Sequence, residues 1–246
     1  MGVARSAARS AVVSGAPKGP VAVLAGFPLL RRSEHEVVIV KPADLPSEMS
    51  ADRDDRSVVA RLRKALPGCE VELPHRLDRP TRGLLVAALS RDAIARHNEH
   101  VRARRWRKFY LARVAAGASL VGEHRAYLRR RGRLSTVVRS GGDPSHLEVL
   151  AEAPAPQWPG QRHLLIRLDT GRYHQIRVMC AELGFPLTGD QAYGGRPGSF
   201  YLEHALLELI DLDRNEPARV FWADDPQREA ISADLASALA SIAASG

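Results

Sequence analysis

Cysteine is scarce in this 246-residue chain: Cys69 and Cys180 are the only two. Two thiols are too few for a disulfide framework and have no metal-type spacing, which fits a reducing compartment. Long apolar runs are also missing. None approaches the ~20 residues that a membrane-spanning helix needs, so a soluble protein with no membrane partner is expected. The apolar piece from Val21 to Leu30 is interrupted by Pro28, which argues against a secretory leader. Acidic side chains are absent from positions 1–33, where Arg5, Arg9, Lys18, Arg31 and Arg32 stand among Ala, Ser, Gly and Pro. That pattern fits either an organelle transit peptide or a basic tail. The tail is the preferred reading for residues 1–32, with a cytoplasmic location, and an organelle is the alternative.

What is present is ordinary globular usage, 45% apolar and 26% charged, enough for a core without staples. The balance of charge is not neutral. Thirty-six Lys plus Arg against 28 Asp plus Glu gives a net +8 and a pI near 10.1. Arginine supplies most of the excess, and its planar fork suits phosphate and stacks on bases. RNA is therefore the expected partner, and with no repeat or coiled-coil pattern a monomer is expected.

Along the chain, Val37 to Val40 reads as a buried strand stopped by Lys41-Pro42, and Asp55 to Leu66 as a helix ended by Pro67-Gly68. Leu84 to Leu89 is the next strand. Ser90 then caps a helix running to about Arg102, with Ile94, His97 and Val101 facing inward. Arg102 to Lys108 places five basic residues in seven around Trp106, before the strand-like run Phe109 to Val114. A second basic cluster holds Arg125, Arg129, Arg130, Arg131 and Arg133, with Gly132 permitting a turn. Interleaved Arg and aromatic side chains can neutralise phosphate and stack on splayed bases. Leu147–Glu152 and His163–Leu168 read as paired strands, Tyr173 to Leu183 as a helix closed by Gly184, Ala205–Leu209 as a strand, and Ile231–Ile242 as a terminal helix. The sum is one α+β domain over residues 33–246.

The stretch Pro74-His75-Arg76-Leu77-Asp78-Arg79-Pro80-Thr81-Arg82-Gly83 is where chemistry is expected, because it is polar and sits directly before an apolar strand. Asp78 lies between Arg76 and Arg79, whose charges favour its ionised form. Such a carboxylate can act as nucleophile, base or metal ligand, and the same residues also make a good turn with no chemistry at all. His75 and His174 are open to a metal reading, but nine histidines show no convergent spacing with Cys or Glu, so packing and hydrogen bonding are preferred and no metal is expected.

Taken together, five segments resemble the RluA-type pseudouridine synthases. Residues 74–85 resemble the family's His-Arg-Leu-Asp-Arg-x-Thr-Ser-Gly-Leu-Leu signature, and Lys41-Pro42-Ala43 its Asn-Lys-Pro-Ala-Gly segment. Lys108-Phe109-Tyr110-Leu111-Ala112 resembles its Lys-x-Tyr-x-Ala strand. Gly171-Arg172-Tyr173-His174-Gln175-Ile176-Arg177 resembles its Gly-Arg-x-His-Gln-Ile-Arg motif, and Gly184 through Asp190 with Tyr193-Gly194 its Gly-x-Pro-Ile-x-Gly-Asp-x-x-Tyr-Gly run. The order is the family's and the resemblance spans about residues 36–226.

The resemblance implies a pseudouridine synthase fold, a mixed and mostly antiparallel central sheet with flanking helices and loops around a cleft. It also implies isomerisation of a uridine in ribosomal or transfer RNA without cofactor or metal. Asp78 matches the catalytic carboxylate, Arg177 the arginine that pairs with it, and Tyr110 the tyrosine that stacks on the flipped uracil. Arg76 matches an arginine able to fill the gap left by the base. His75, Thr81, Lys108, His174 and Gln175 fall in the same motifs as further RNA-contacting candidates. There is no room before residue 33 for an S4-type RNA-binding domain, so recognition is expected to rest with the catalytic domain and its basic loops. Three places depart from the pattern: Asp44 stands for Gly, Arg82 for Ser, and Val178-Met179-Cys180 for Val-His-Leu. A non-catalytic RNA binder or chaperone on the same fold is the alternative from another class, and a metal-dependent hydrolase using Asp78 and His75 a remote third.

Overall fold

A computed structural model describes residues 21–49 and 56–245. Its frame is a mixed sheet of eleven strands. Five of them come early in the chain: β1 (Val23–Leu24), β2 (Phe27–Arg32), β3 (Glu36–Lys41), β4 (Arg82–Ala88) and β5 (Arg107–Ala115). Then follow β6 (Gly122–Arg131), β7 (Leu134–Val138), β8 (Asp143–Pro154), β9 (Gln161–Leu168), β10 (Leu202–Ile210) and β11 (Pro217–Phe221). The spatial order is β1-β2-β3-β4-β10-β5-β9-β8-β6-β7, with β11 also on β10. Every pairing is antiparallel except β4 with β10. Four helices flank the sheet: α1 (Val58–Ala65), α2 (Arg91–Arg102), α3 (Gln175–Glu182) and α4 (Ala233–Ala244). None of them is long and apolar enough to cross a membrane.

The unbroken run Val37-Val38-Ile39-Val40 has a direct cause. Val37 and Ile39 enter one apolar core with Leu85, Leu62 and Met179, while Val38 and Val40 enter another with Val86, Trp106 and Trp222. A strand covered on both faces cannot alternate. Ser57 and Ser90 cap α1 and α2 by accepting from the Ala60 and Ala93 amides, each worth about 1 kcal/mol.

The structure corrects several expectations. The sheet begins at Val23, inside the stretch expected as a tail, because Leu29, Arg31 and Arg32 pair with β3 and Phe27 enters the core; residues 1–20 lie outside the described residues. The first helix starts after Ser57, and Asp55 is outside the described residues. In α2 the fully buried residues are Ala93, His97 and His100, with Ile94 and Val101 only half-buried, because His97 turns toward Glu36, its Nε2 2.6 Å from Oε2. The second basic cluster forms the β6–β7 hairpin, and Gly132 makes the expected turn at its tip, in the left-handed region at φ +60°. Strand β11, which no expectation covered, pairs with β10 and packs Val220 and Phe221 into the apolar clusters on either side.

One glycine is set by the fold. Gly83 has φ +112°, and a Cβ there would collide with the His204 backbone at the β4–β10 crossing.

Candidate active site

A cavity of about 700 Å³ opens beside this crossing, and residues from 73–81, β5, 168–177 and the end of α2 line it. Asp78 lies on its wall with its side chain 21% exposed. The turn around it is fixed from two sides. The Thr81 amide donates to the Asp78 carbonyl (3.0 Å), and the buried Lys41 Nζ donates to the carbonyls of Pro42 (2.8 Å), Leu45 (2.7 Å) and Arg79 (3.1 Å). Burial brings the Lys41 ammonium down to about 8.

Arg177 comes from α3. Its Nε and Nη2 are both 2.7 Å from the Asp190 carboxylate, and its Nη1 is 3.5 Å from Asp78 Oδ2. Burial raises the Asp78 pKa, while the charge and hydrogen bond of Arg177 pull it down; Asp190 pushes it up again and Lys41 opposes. The expectation that Arg76 and Arg79 favour the ionised form is therefore corrected. The Arg76 guanidinium turns outward to Glu48 (2.7 Å), and Arg79 Nε donates to the Asp44 carbonyl. The cations that act on Asp78 are distant in sequence.

Tyr110 lies on β5, buried, with its ring stacked on His204 at 4.7 Å and 15°. Burial, and then the charge of Asp78, raise its pKa, so its hydroxyl is protonated. Behind it runs a file of rings: His204 meets His75 edge-on, His75 meets Trp106, and Trp106 meets His97. His204 Nδ1 donates to the Leu84 carbonyl (2.7 Å), and burial holds this histidine down at about 3. His75 Nε2 accepts from the Val86 amide (3.0 Å), and burial keeps the ring neutral. His75 thus braces β4 as well as lining the cavity.

The other matched residues divide in two. Thr81 is buried at the cavity wall, its Oγ1 without a hydrogen-bond partner among the described residues, and Lys108 reaches the wall with its pKa lowered by burial and raised by Asp169. Gln175 is used internally: Oε1 accepts from Thr170 and from the Arg172 amide, and Nε2 donates to the His146 carbonyl. His174 begins α3 in the left-handed region at φ +56°, unusual for a residue with a side chain. Its Nδ1 is 2.8 Å from the Tyr193 hydroxyl and its Nε2 is 3.9 Å from Asp78 Oδ2. Burial and Arg177 bring it down to about 4.

Asp190, Lys41, Tyr193 and His204 are neighbours of the candidate site that the sequence alone does not place there. Asp190 and Tyr193 stand in the motif that runs from Gly184 to Gly194, but only the fold shows that their side chains meet Arg177 and His174. Two departures also find their reason. Asp44 has φ +61°, a conformation natural to the glycine it replaces, and Arg82 is buried between Glu203 (2.8 Å) and Asp225 (2.7 Å). Among the described residues no group of three or more His, Cys, Asp or Glu side chains is arranged to hold a metal ion.

The architecture is that of the pseudouridine synthase fold. The solved structure of human RNA pseudouridylate synthase domain containing 1 superposes with a TM-score of 0.67 at 24% identity, covering 92% of this chain and 98% of that one. The description of the family whose model matches residues 35–182 is RNA pseudouridylate synthase, and this chain belongs to that family. Ribosomal large subunit pseudouridine synthase D of Pseudomonas aeruginosa is 32% identical over 176 residues, 68% of this chain and 53% of that protein. A protein of Chloroflexus aurantiacus named as an uncharacterized RNA pseudouridine synthase is 36% identical over 155 residues, 61% and 47% of the two chains. The chain spans about half the length of the curated relatives it matches.

Proposed function

We propose that this protein is an RNA pseudouridine synthase in which Asp78 is the nucleophile, Arg177 its positioning cation and Tyr110 the stacking wall. The single observation that carries this reading is the Asp78–Arg177 contact on the wall of an open cavity, with Tyr110 facing the same space. The cavity is in the size range of small-ligand sites and can take one extruded nucleotide. In the proposed reaction the uridine C1′–N1 bond breaks and the uracil turns while held against Tyr110. A C1′–C5 bond then forms, C5 gives up its proton and N1 gains one, so no atom is added or lost. Asp78 forms and releases a covalent bond to the substrate, which requires its ionised form, and Arg177 Nη1 stabilises that charge in a partly dehydrated wall. Because Tyr110 is a neutral phenol at rest, its hydroxyl can give a proton or relay one but cannot begin as the base.

Ribosomal RNA, and the large subunit in particular, is the proposed substrate, since the P. aeruginosa relative carries that name. The two basic clusters support an RNA partner: Arg102 and Arg104 of the first and Arg130 of the second line the cavity, and Arg172 from the turn before α3 joins them. The proposed enzyme acts in the cytoplasm as a monomer, and the residues given a role in this reading all fall within the domain that holds the eleven-stranded sheet. The test is to incubate unmodified large-subunit ribosomal RNA transcripts with wild type and Asp78→Asn and map pseudouridine by position. Wild type is expected to modify a defined uridine and Asp78→Asn none; equal signal from both would remove Asp78 from the mechanism.

A further inference from the structure

The β6–β7 hairpin is tied to the site by more than packing. On β7, the Ser135 hydroxyl donates to the Tyr173 carbonyl (2.6 Å) and the Ser135 amide donates to the Tyr193 hydroxyl oxygen (2.8 Å). The Tyr173 hydroxyl in turn donates to the Arg133 carbonyl (3.3 Å). Three planar groups then lie in contact: the Arg130 guanidinium carbon is 4.2 Å from the centre of the Tyr173 ring, and that ring stacks on His174 at 3.9 Å and 20°. The lowest member, His174, is the one 3.9 Å from Asp78. The uppermost, Arg130, is exposed and makes no ion pair among the described residues; its Nε donates to the Gly132 carbonyl, which fixes the plane. Both Arg130 and Tyr173 line the cavity that holds Asp78.

A guanidinium seated 4.2 Å over a ring has a planar face left for a further partner, and nucleobases stack on such groups. We infer that Arg130, supported by Tyr173, is a stacking platform for the unpaired base next to the target uridine, and so a specificity-determining residue. This rests on the proposed isomerase activity and adds to it a requirement on the substrate: an unstacked neighbour beside the reacting nucleotide. The contact costs little to form, because the plane is already held by the hairpin tip and the ring beneath it. An RNA whose neighbouring base stays in a helix cannot use it.

The test takes the shortest large-subunit ribosomal RNA transcript that wild type modifies and remakes it with an abasic residue in place of each neighbour of the target in turn. For wild type, one of the two abasic transcripts is expected to raise KM roughly ten-fold with kcat little changed. Arg130→Lys, which keeps the charge and loses the plane, is expected to raise KM by a similar factor on the intact transcript and to be insensitive to the abasic site. Tyr173→Phe, which keeps the ring, should behave as wild type, whereas Tyr173→Leu should follow Arg130→Lys. The platform is overturned if Arg130→Lys matches wild type, or if the losses from lysine and the abasic site multiply in full. If wild type modifies no transcript at all, the isomerase reading itself falls.

Discussion

Arg177 stands between two carboxylates and is shared unequally: Asp190 takes two of its nitrogens at 2.7 Å, and Asp78 faces the third at 3.5 Å. The tight pair fixes the plane of the guanidinium, and the looser contact leaves Asp78 the freedom that the proposed nucleophile needs. A carboxylate neutralised by its own tight pair would be a poorer nucleophile. On the proposed mechanism, Asp190 acts as a positioning residue through Arg177.

Asp190→Asn is therefore expected to lower kcat about 100-fold, the scale of a misplacement near 1 Å. It should also move the acid limb of the rate profile to lower pH, because the Asp190 charge raises the Asp78 pKa. Arg177→Met should move that limb the other way, since it removes the largest opposing influence. Initial rates between about pH 5 and 9 check both signs. An unchanged limb in both variants would separate Asp78 ionisation from the rate.

Tyr110 offers a ring and a hydroxyl, and two substitutions distinguish them. Tyr110→Phe keeps the stack on His204 and is expected to lower kcat by about 10² or more with KM little altered, the range of proton-transfer assistance. Tyr110→Leu should raise KM as well, because the flat wall is gone. Steady-state kinetics on one mapped transcript decide it. If Tyr110→Phe turns over like wild type, the hydroxyl moves no proton.

The site reads in the sequence only as far as its motifs reach. Asp78, Tyr110 and Arg177 could be named because each sits in a motif with a known partner in the family, and the fold brings all three to one cavity. Asp190 could not be assigned its role, since a carboxylate thirteen residues after an arginine carries no spacing signal once a helix, a turn and a glycine-rich loop intervene. His204 is invisible for another reason: a histidine in an apolar strand looks like any buried polar residue until β10 is seen beside β5. The flanking arginines misled in the opposite direction. Neighbours in sequence are on divergent vectors in a turn, so Arg76 and Arg79 point to Glu48 and Asp44 instead of Asp78.

Acid stability follows from the buried rings. His204 is brought from 6.5 to about 3 by burial, so its neutral form is the folded one. A histidine with a depressed folded pKa binds fewer protons folded than unfolded, and stability is lost as pH falls from 6.5 toward 3. At pH 5 the loss from this residue alone is about 2 kcal/mol. His174, brought to about 4, adds in the same direction over a narrower window. Urea unfolding of wild type and His204→Gln at pH 7 and pH 5 checks this. Wild type is expected to lose more stability than the variant on acidification, by about the 2 kcal/mol that the buried ring contributes. Equal losses in the two proteins would assign the acid sensitivity to other groups.

Arg82 replaces a residue that is small in the family pattern, and it is buried with Glu203 and Asp225; Glu203 also meets Arg228 at 3.0 Å. Arg82→Ser leaves Asp225 without its cation and is expected to cost about 3 kcal/mol, measured by urea unfolding. Asp225→Asn in the Arg82→Ser background should restore part of that loss. No recovery would mean that the cost comes from the emptied volume.

Strand β10 enters the sheet between β4 and β5, meeting β4 at only two positions, Glu203 with Arg82 and His204 with Gly83. The loop bearing Asp78 runs into β4, whereas Tyr110 is on β5. While the ribosome has yet to release residue 202, Asp78 and Tyr110 belong to separate pieces of an unfinished sheet. On the proposed mechanism the site is therefore completed late and all at once, by the insertion of a single strand, and a chain cut short before that strand lacks the pairing that joins β4 to β5.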